Sequence, residues 1–252
     1  MKTKNLLNGL LILITFAVVV QVKAEVNQSY DAKGVVGFGA GSGQQLPVNP
    51  NSPDPTIPVT PKNPDGSKPI SGGDGALTID FTSSFDFGTH AISNQDQTYF
   101  AKAQVYFNST ERTPNYAQVT DKRGTFNGWQ LNVKVVSQFK QIVSGPQKYP
   151  ELIGASISLK NPTPVSLNGE PTPTAQPLQS LIPGVETQVA SATSGAGGGT
   201  WVVRWGDQSN LTSEGLTPDI TLFVPGVSPK DATAYQTTLK WILAELPTNS
   251  PT

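Results

Sequence analysis

The chain contains no cysteine and a single histidine, His90. The first absence excludes disulfides, thiolate metal sites and cysteine nucleophiles. The second leaves any zinc centre short of the imidazoles such sites normally use. His90 sits in Thr89-His90-Ala91, which matches no nucleophile or metal pattern. Charge is also scarce, at 14% of residues. Two carboxylates would suffice for glycoside hydrolysis, but nothing in the settings of Asp80, Asp86, Asp96, Asp121, Glu151 and Asp207 singles out a pair. The Asp and Gly residues of Asp65–Asp74 lack the twelve-residue spacing of a calcium loop. The sequence therefore indicates no catalysis, no cofactor and no metal.

Long apolar runs are limited to one. Lys2 and Lys4 precede Leu6–Val20, and Val22-Lys-Ala24 supplies compact residues where a signal peptidase reads. This pattern predicts a cleaved secretion signal over residues 1–24. About 15 apolar residues fall short of the ~20 that span a bilayer, so no membrane span is expected after cleavage. Without Lys2, Lys4 and Lys23 the 17 basic residues become 14 against 18 acidic, a net of −4, which gives no nucleic-acid footprint. No cysteine follows the apolar run for lipidation, and Leu246-Pro-Thr-Asn-Ser-Pro-Thr252 lacks a sorting signal. Retention at a surface would then have to be non-covalent.

Turn-forming residues are abundant, with 24 glycines and 22 prolines. Prolines 47, 50, 53, 55, 58, 61 and 64 fall so close together that no long strand or helix can pass through them. Residues 25–75 are expected to form a disordered Gly/Pro-rich arm. From Ala76 the pattern becomes short runs of period-two apolarity: Leu77–Phe81, Tyr99–Val105, Trp129–Val135, Ile157–Leu159, Trp201–Trp205, Ile220–Val224 and Tyr235–Leu243. Such alternation predicts strands with one buried face. The proline-rich breaks at Asn161–Pro164, Pro171–Pro177 and Pro183 are expected to be loops, and Pro229–Tyr235 holds the best short helical turn. The expected fold is all-β, a single sandwich or barrel-like domain of mostly antiparallel strands over residues 76–247, with a tail at 248–252.

Two segments carry more specific information. One is Asp121-Lys-Arg-Gly-Thr-Phe-Asn-Gly-Trp-Gln-Leu-Asn-Val-Lys-Val135, containing Trp129 and Leu131. The other is Tyr235-Gln-Thr-Thr-Leu239-Lys-Trp241-Ile-Leu243. Together they resemble the WxL-domain cell-surface family of Gram-positive bacteria, marked by a first Trp-x-Leu and a second within Tyr-x-x-x-Leu-x-Trp-x-Leu. The resemblance covers about residues 76–247. It implies a secreted protein on the cell wall, with peptidoglycan or another wall polymer as ligand and neighbouring surface proteins as possible partners. The role it implies is a non-catalytic attachment or scaffold subunit. Docking onto another wall protein, or adhesion to host matrix or polysaccharide, are the alternatives.

Parity puts Tyr235, Leu239, Trp241 and Leu243 on one strand face, and Trp129 and Leu131 on another. Two placements are open for these six: a buried face that specifies the fold, or a wall-binding surface. Trp201 and Trp205, beside the flexible Ser194–Gly199 loop, are the candidates for stacking on a sugar ring.

Overall fold

In the computed structural model, residues 28–143, 147–167, 169 and 171–246 are described. The expected leader (1–24) and tail (248–252) lie outside them. Residues 28–37 are exposed and carry no strand or helix. From Phe38 onward the chain forms one compact unit.

The strands are β1 (Pro61–Lys62), β2 (Leu77–Thr82), β3 (Gln97–Lys102), β4 (Val105–Tyr106), β5 (Tyr116–Asp121), β6 (Trp129–Val135), β7 (Lys140–Gln141) and β8 (Ser156–Leu159). They continue as β9 (Pro162–Val165), β10 (Thr174–Ala175), β11 (Glu186–Ala192), β12 (Gly199–Trp205), β13 (Leu216–Val224), β14 (Tyr235–Gln236) and β15 (Leu239–Glu245). Three sheets dominate, in the orders β2-β5-β12-β9, β10-β11-β6-β15 and β3-β13-β8, with small pairs β1-β4 and β14-β7. Every described ladder is antiparallel. The fold is all-β, and among the described residues the helical content is one 3-10 turn at Gln208–Asn210. No helix there is long and apolar enough to cross a membrane.

Alternation explains the core. On β6, Trp129, Leu131, Val133 and Val135 are buried while Gln130, Asn132 and Lys134 are half-exposed. Their buried faces meet Val203 and Trp205 of β12, Ile220 and Leu222 of β13, and Ile157 and Leu159 of β8 in one cluster.

Strand β5 breaks the rule, because all six of its residues are buried. Ala117 and Val119 face the main core. Tyr116 faces a second cluster with Val48, Phe81, Tyr106 and Val202. The sheet β2-β5-β12-β9 is thus covered on both sides, and the proline-rich segment supplies part of the outer cover. From Gly41 onward that segment departs from a free spacer. Val48 is fully buried, and its N–H donates to Gln118 Oε1 at 2.8 Å while Gln118 Nε2 donates to Leu46 O at 3.1 Å. Arg204 donates to Asn51 Oδ1 at 2.9 Å, and Lys122 Nζ to Gly43 O at 2.6 Å. The physical reason lies in proline itself. It removes N–H donors and with them regular ladders, but its segment keeps every carbonyl acceptor, which side chains of the sheet can satisfy.

Four further expectations are corrected. Asn161–Pro164 is not all loop: Pro162–Val165 forms β9, an edge strand on β12. Alternate residues of a strand direct their N–H groups to the same side. Pro162 and Pro164 therefore lack donors only toward the open edge, where proline is tolerated. The break at Pro171–Pro177 likewise contains the short edge strand β10. The run Tyr235–Leu243 is not continuous, since β14 and β15 are separate and pair with different strands. Pro229–Tyr235 holds bends and the start of β14, with no helical turn.

Asp80, on β2, is buried beneath the docked segment and accepts hydrogen bonds from Thr78, Thr120 and Gln118 at 2.7, 2.5 and 2.9 Å. Burial raises its pKa above the usual carboxylate value, outweighing these bonds and the charge of Lys122, which pull it down.

Two outcomes are expected. Val48→Ala should lower the unfolding free energy by about 1–2 kcal/mol through lost burial and the void left behind, measured by urea denaturation. Because the folded Asp80 holds its proton more tightly than the unfolded one, its contribution to stability falls as pH rises from about 3.8 through the raised folded value. Asp80→Asn, which cannot ionise, should therefore gain stability relative to wild type as pH rises through that window. A difference between the two proteins that stays flat with pH would show that Asp80 does not titrate this way.

Candidate functional site

The two motif strands lie side by side. In the β6–β15 ladder Leu131 stands opposite Leu243, Val133 opposite Trp241, Val135 opposite Leu239, and Trp129 opposite Glu245. Trp129 and Leu131 are fully buried. Leu239, Trp241 and Leu243 are half-buried and pack against the core from the edge strand. Tyr235 stands apart on β14, where it acts through its hydroxyl. That group accepts from Asp231 N and donates to Tyr149 O, both at 2.8 Å. It thereby ties the segment before β14 to the loop before β8. The same loop holds the Asp231 carboxylate: N–H groups of Tyr149 and Lys148 and the Gln141 amide donate to it. Its pKa is lowered, chiefly by the Tyr149 N–H.

The four tryptophans form two pairs. Trp205 is fully buried, and its ring lies 5.7 Å from that of Trp241 and 6.2 Å from that of Phe85. It presents no face to solvent on which a sugar could stack. Trp129 and Trp201 instead share a loop: Trp129 Nε1 donates to Gly197 O at 3.0 Å and Trp201 Nε1 to Gly198 O at 2.9 Å. Trp201 is 3% exposed, so only its rim reaches the surface, at the floor of a cleft of about 400 Å³.

That cleft runs between the Gly195–Gly199 loop and the turn 124–128 before β6. Phe126 stands on its wall, half-exposed, with φ of 53°. The Gly195 N–H donates to Phe126 O at 2.7 Å and joins the two loops. A Cβ on Gly198 would collide with the Phe126 ring, and one on Gly197 with the Trp129 indole. Glycine at 197 is therefore a packing requirement, and glycine at 198 sets where the Phe126 ring rests. Sequence reading passes over Phe126, whose one signal is an aromatic set among turn residues in Gly124-Thr-Phe-Asn-Gly128.

A charged network braces the turn. Arg123 binds Asp121 through both carboxylate oxygens, at 2.9 and 2.7 Å, and donates to Gly128 O at 2.9 Å. It also pairs with Glu245 at 2.5 Å, and Asn127 Nδ2 donates to Glu245 at 3.2 Å. The Arg123 and Asp121 side chains are 11% and 2% exposed, so this pair is largely removed from water. Elsewhere on the surface, Lys140 pairs with Glu151 at 3.4 Å. His90 is exposed, stacked on Tyr99 at 3.9 Å, with Nε2 2.5 Å from Phe87 O.

Removing one partner of a buried ion pair leaves the other charge stranded, whereas an exposed pair contributes little. Arg123→Ala should thus lower the unfolding free energy by about 3 kcal/mol, and Glu245→Ala, at an exposed carboxylate, by less than about 1 kcal/mol. Chemical denaturation of both variants checks this, and equal losses would contradict the ranking.

A protein-family model described as "WxL domain surface cell wall-binding" matches residues 25–247. No curated protein and no solved structure matches the chain. The match takes in both motif strands, the glycine loop and the docked proline-rich segment. This chain belongs to the WxL family of surface cell wall-binding domains.

Proposed function

We propose that the protein is secreted by a Gram-positive bacterium and held on its wall by non-covalent binding to peptidoglycan, as an attachment or scaffold subunit without catalytic activity. The match of residues 25–247 to a surface cell wall-binding family carries this reading. The buried motif residues support a division of labour. Trp129, Leu131, Leu239, Trp241 and Leu243 build and close the core, while contact with the wall falls to the surface that this core holds in place.

A second reading has its own observation. Strand β3 lies at the edge of its sheet, paired on one side to β13. An open edge can accept a strand from another protein. Docking onto a neighbouring wall protein would then retain the chain at the surface.

Sedimentation with purified peptidoglycan, stripped of teichoic acids and proteins, separates the two. Under the first reading residues 25–252 pellet with the stripped wall, and protein left in the supernatant would refute direct binding. Under the second, binding to whole cells disappears after the cells are treated with protease.

A further inference from the structure

Several surfaces of the domain can be weighed for a ligand. In the hollow between β1 and the Arg112 region the long cationic side chains already have partners within the protein: Lys102 pairs with Asp86 at 2.7 Å, Arg112 donates to Glu214 O at 2.8 Å and Lys62 lies over the Phe107 ring at 5.4 Å. The aromatic group around Trp205 is internal. The cleft at Phe126 differs from both in keeping an aromatic side chain half in solvent.

Phe126 is an unusual residue for its backbone. A φ of 53° is the left-handed region, which bulky side chains enter at a penalty and glycine enters freely. Glycines occupy positive φ at both 124 and 128 of the same turn, so the local chain has the means to avoid strain and does not use it at 126. Half-exposure returns little burial in compensation. Strain retained on an exposed aromatic at a cleft is a pointer to function.

The glycine loop packs directly against Phe126 and is fixed from below. The buried indoles of Trp129 and Trp201 hold the Gly197 and Gly198 carbonyls, and glycine at 198 lets the main chain approach the Phe126 ring. Flush main chain beside the exposed part of an aromatic plate suits a ring with a polar rim and an apolar face. Charge narrows the choice further. The Asp121 carboxylate is engaged by Arg123, and the Lys122 ammonium by the Ser42 and Gly43 carbonyls. Among the described residues lining the cleft, Asp121 is thus paired within the protein and the one ammonium is already committed to two carbonyls, a poor match for a phosphate-rich polymer. The volume of about 400 Å³ lies within the usual range for small-ligand sites, about 300–1,000 Å³.

We propose that this cleft is the site at which the domain grips the wall, taking an uncharged pyranose segment of a glycan strand. One sugar face stacks on Phe126, and the sugar edge lies along the Gly195–Gly199 main chain. This assignment rests on the wall-binding reading above. Trp129 and Trp201 are positioning residues here: through their indole N–H groups they set the glycine loop.

The test measures sedimentation of residues 25–252 with stripped peptidoglycan and, separately, with wall that retains its teichoic acids. Phe126→Ala and Gly198→Ala, the latter displacing the ring by its new Cβ, should each weaken binding tenfold or more. Phe126→Trp should retain it. Phe126→Gly relieves the backbone, so it should lose binding with a Tm at or above that of wild type, a combination that simple unfolding cannot produce. Wild-type binding left unchanged by Phe126→Ala and Phe126→Gly would overturn the site and leave the wall-binding reading standing. Wild type that binds teichoic-acid-bearing wall and ignores the stripped glycan would overturn the uncharged ligand. Wild type that binds neither preparation would overturn both the site and the reading on which it rests.

Discussion

The register that sets Leu131 opposite Leu243 governs much of what surrounds it. It brings β15, near the end of the chain, against β6, more than 100 residues earlier, and so places Glu245 opposite Trp129. From there Glu245 reaches Arg123, and Arg123 holds Asp121 and the Gly128 carbonyl. The turn between them is braced as β6 begins, and the Trp129 indole is delivered to Gly197. A slip of one residue would send each side chain of β15 to the opposite face of its sheet. It would expose Trp241 and pull Glu245 away from Arg123. The two Trp-x-Leu segments are thus the two halves of one ladder.

Connectivity gives this ladder added weight. Of the described pairings, only β10 with β11 joins strands that follow one another in the chain. Elsewhere the chain leaves one sheet for another between successive strands, as from β5 to β6 and from β11 to β12 to β13. Contacts of long sequence separation carry a high entropic toll before they form, and folds rich in them assemble slowly. Closing β6 on β15 is among the longest of these steps.

Much of the fold was legible in the sequence, and the illegible parts share a cause. Strands β6 and β8 announce themselves because one face is buried and the other is half-exposed, and β2, β12 and β13 because their apolar residues alternate in sequence. In β5 both faces are covered, so Tyr-Ala-Gln-Val-Thr-Asp carries polar residues into buried positions where Gln118 and Thr120 serve Asp80 and the docked segment. Strand β9 was hidden by prolines whose missing donors point outward. The docked segment was illegible because its partners are remote in sequence: Gln118 lies 70 residues from Val48, and Arg204 lies 153 from Asn51. For the site, parity correctly separates the faces of β6 and β15. It says nothing about which indole N–H meets which carbonyl, and it offers no means of noticing Phe126, whose interest lies in a backbone angle.

The prolines of β9 have a further consequence. A sheet edge with free N–H groups invites another strand, and a crowded surface layer offers many. With Pro162 and Pro164 along its outer side, the edge of β2-β5-β12-β9 cannot donate there, so the sheet cannot grow in that direction. Copies of the protein packed side by side would meet along this flank as separate bodies and would not fuse into a shared sheet. Any strand exchange with neighbours is left to the other sheet edges, at β2, β3, β8, β10 and β15.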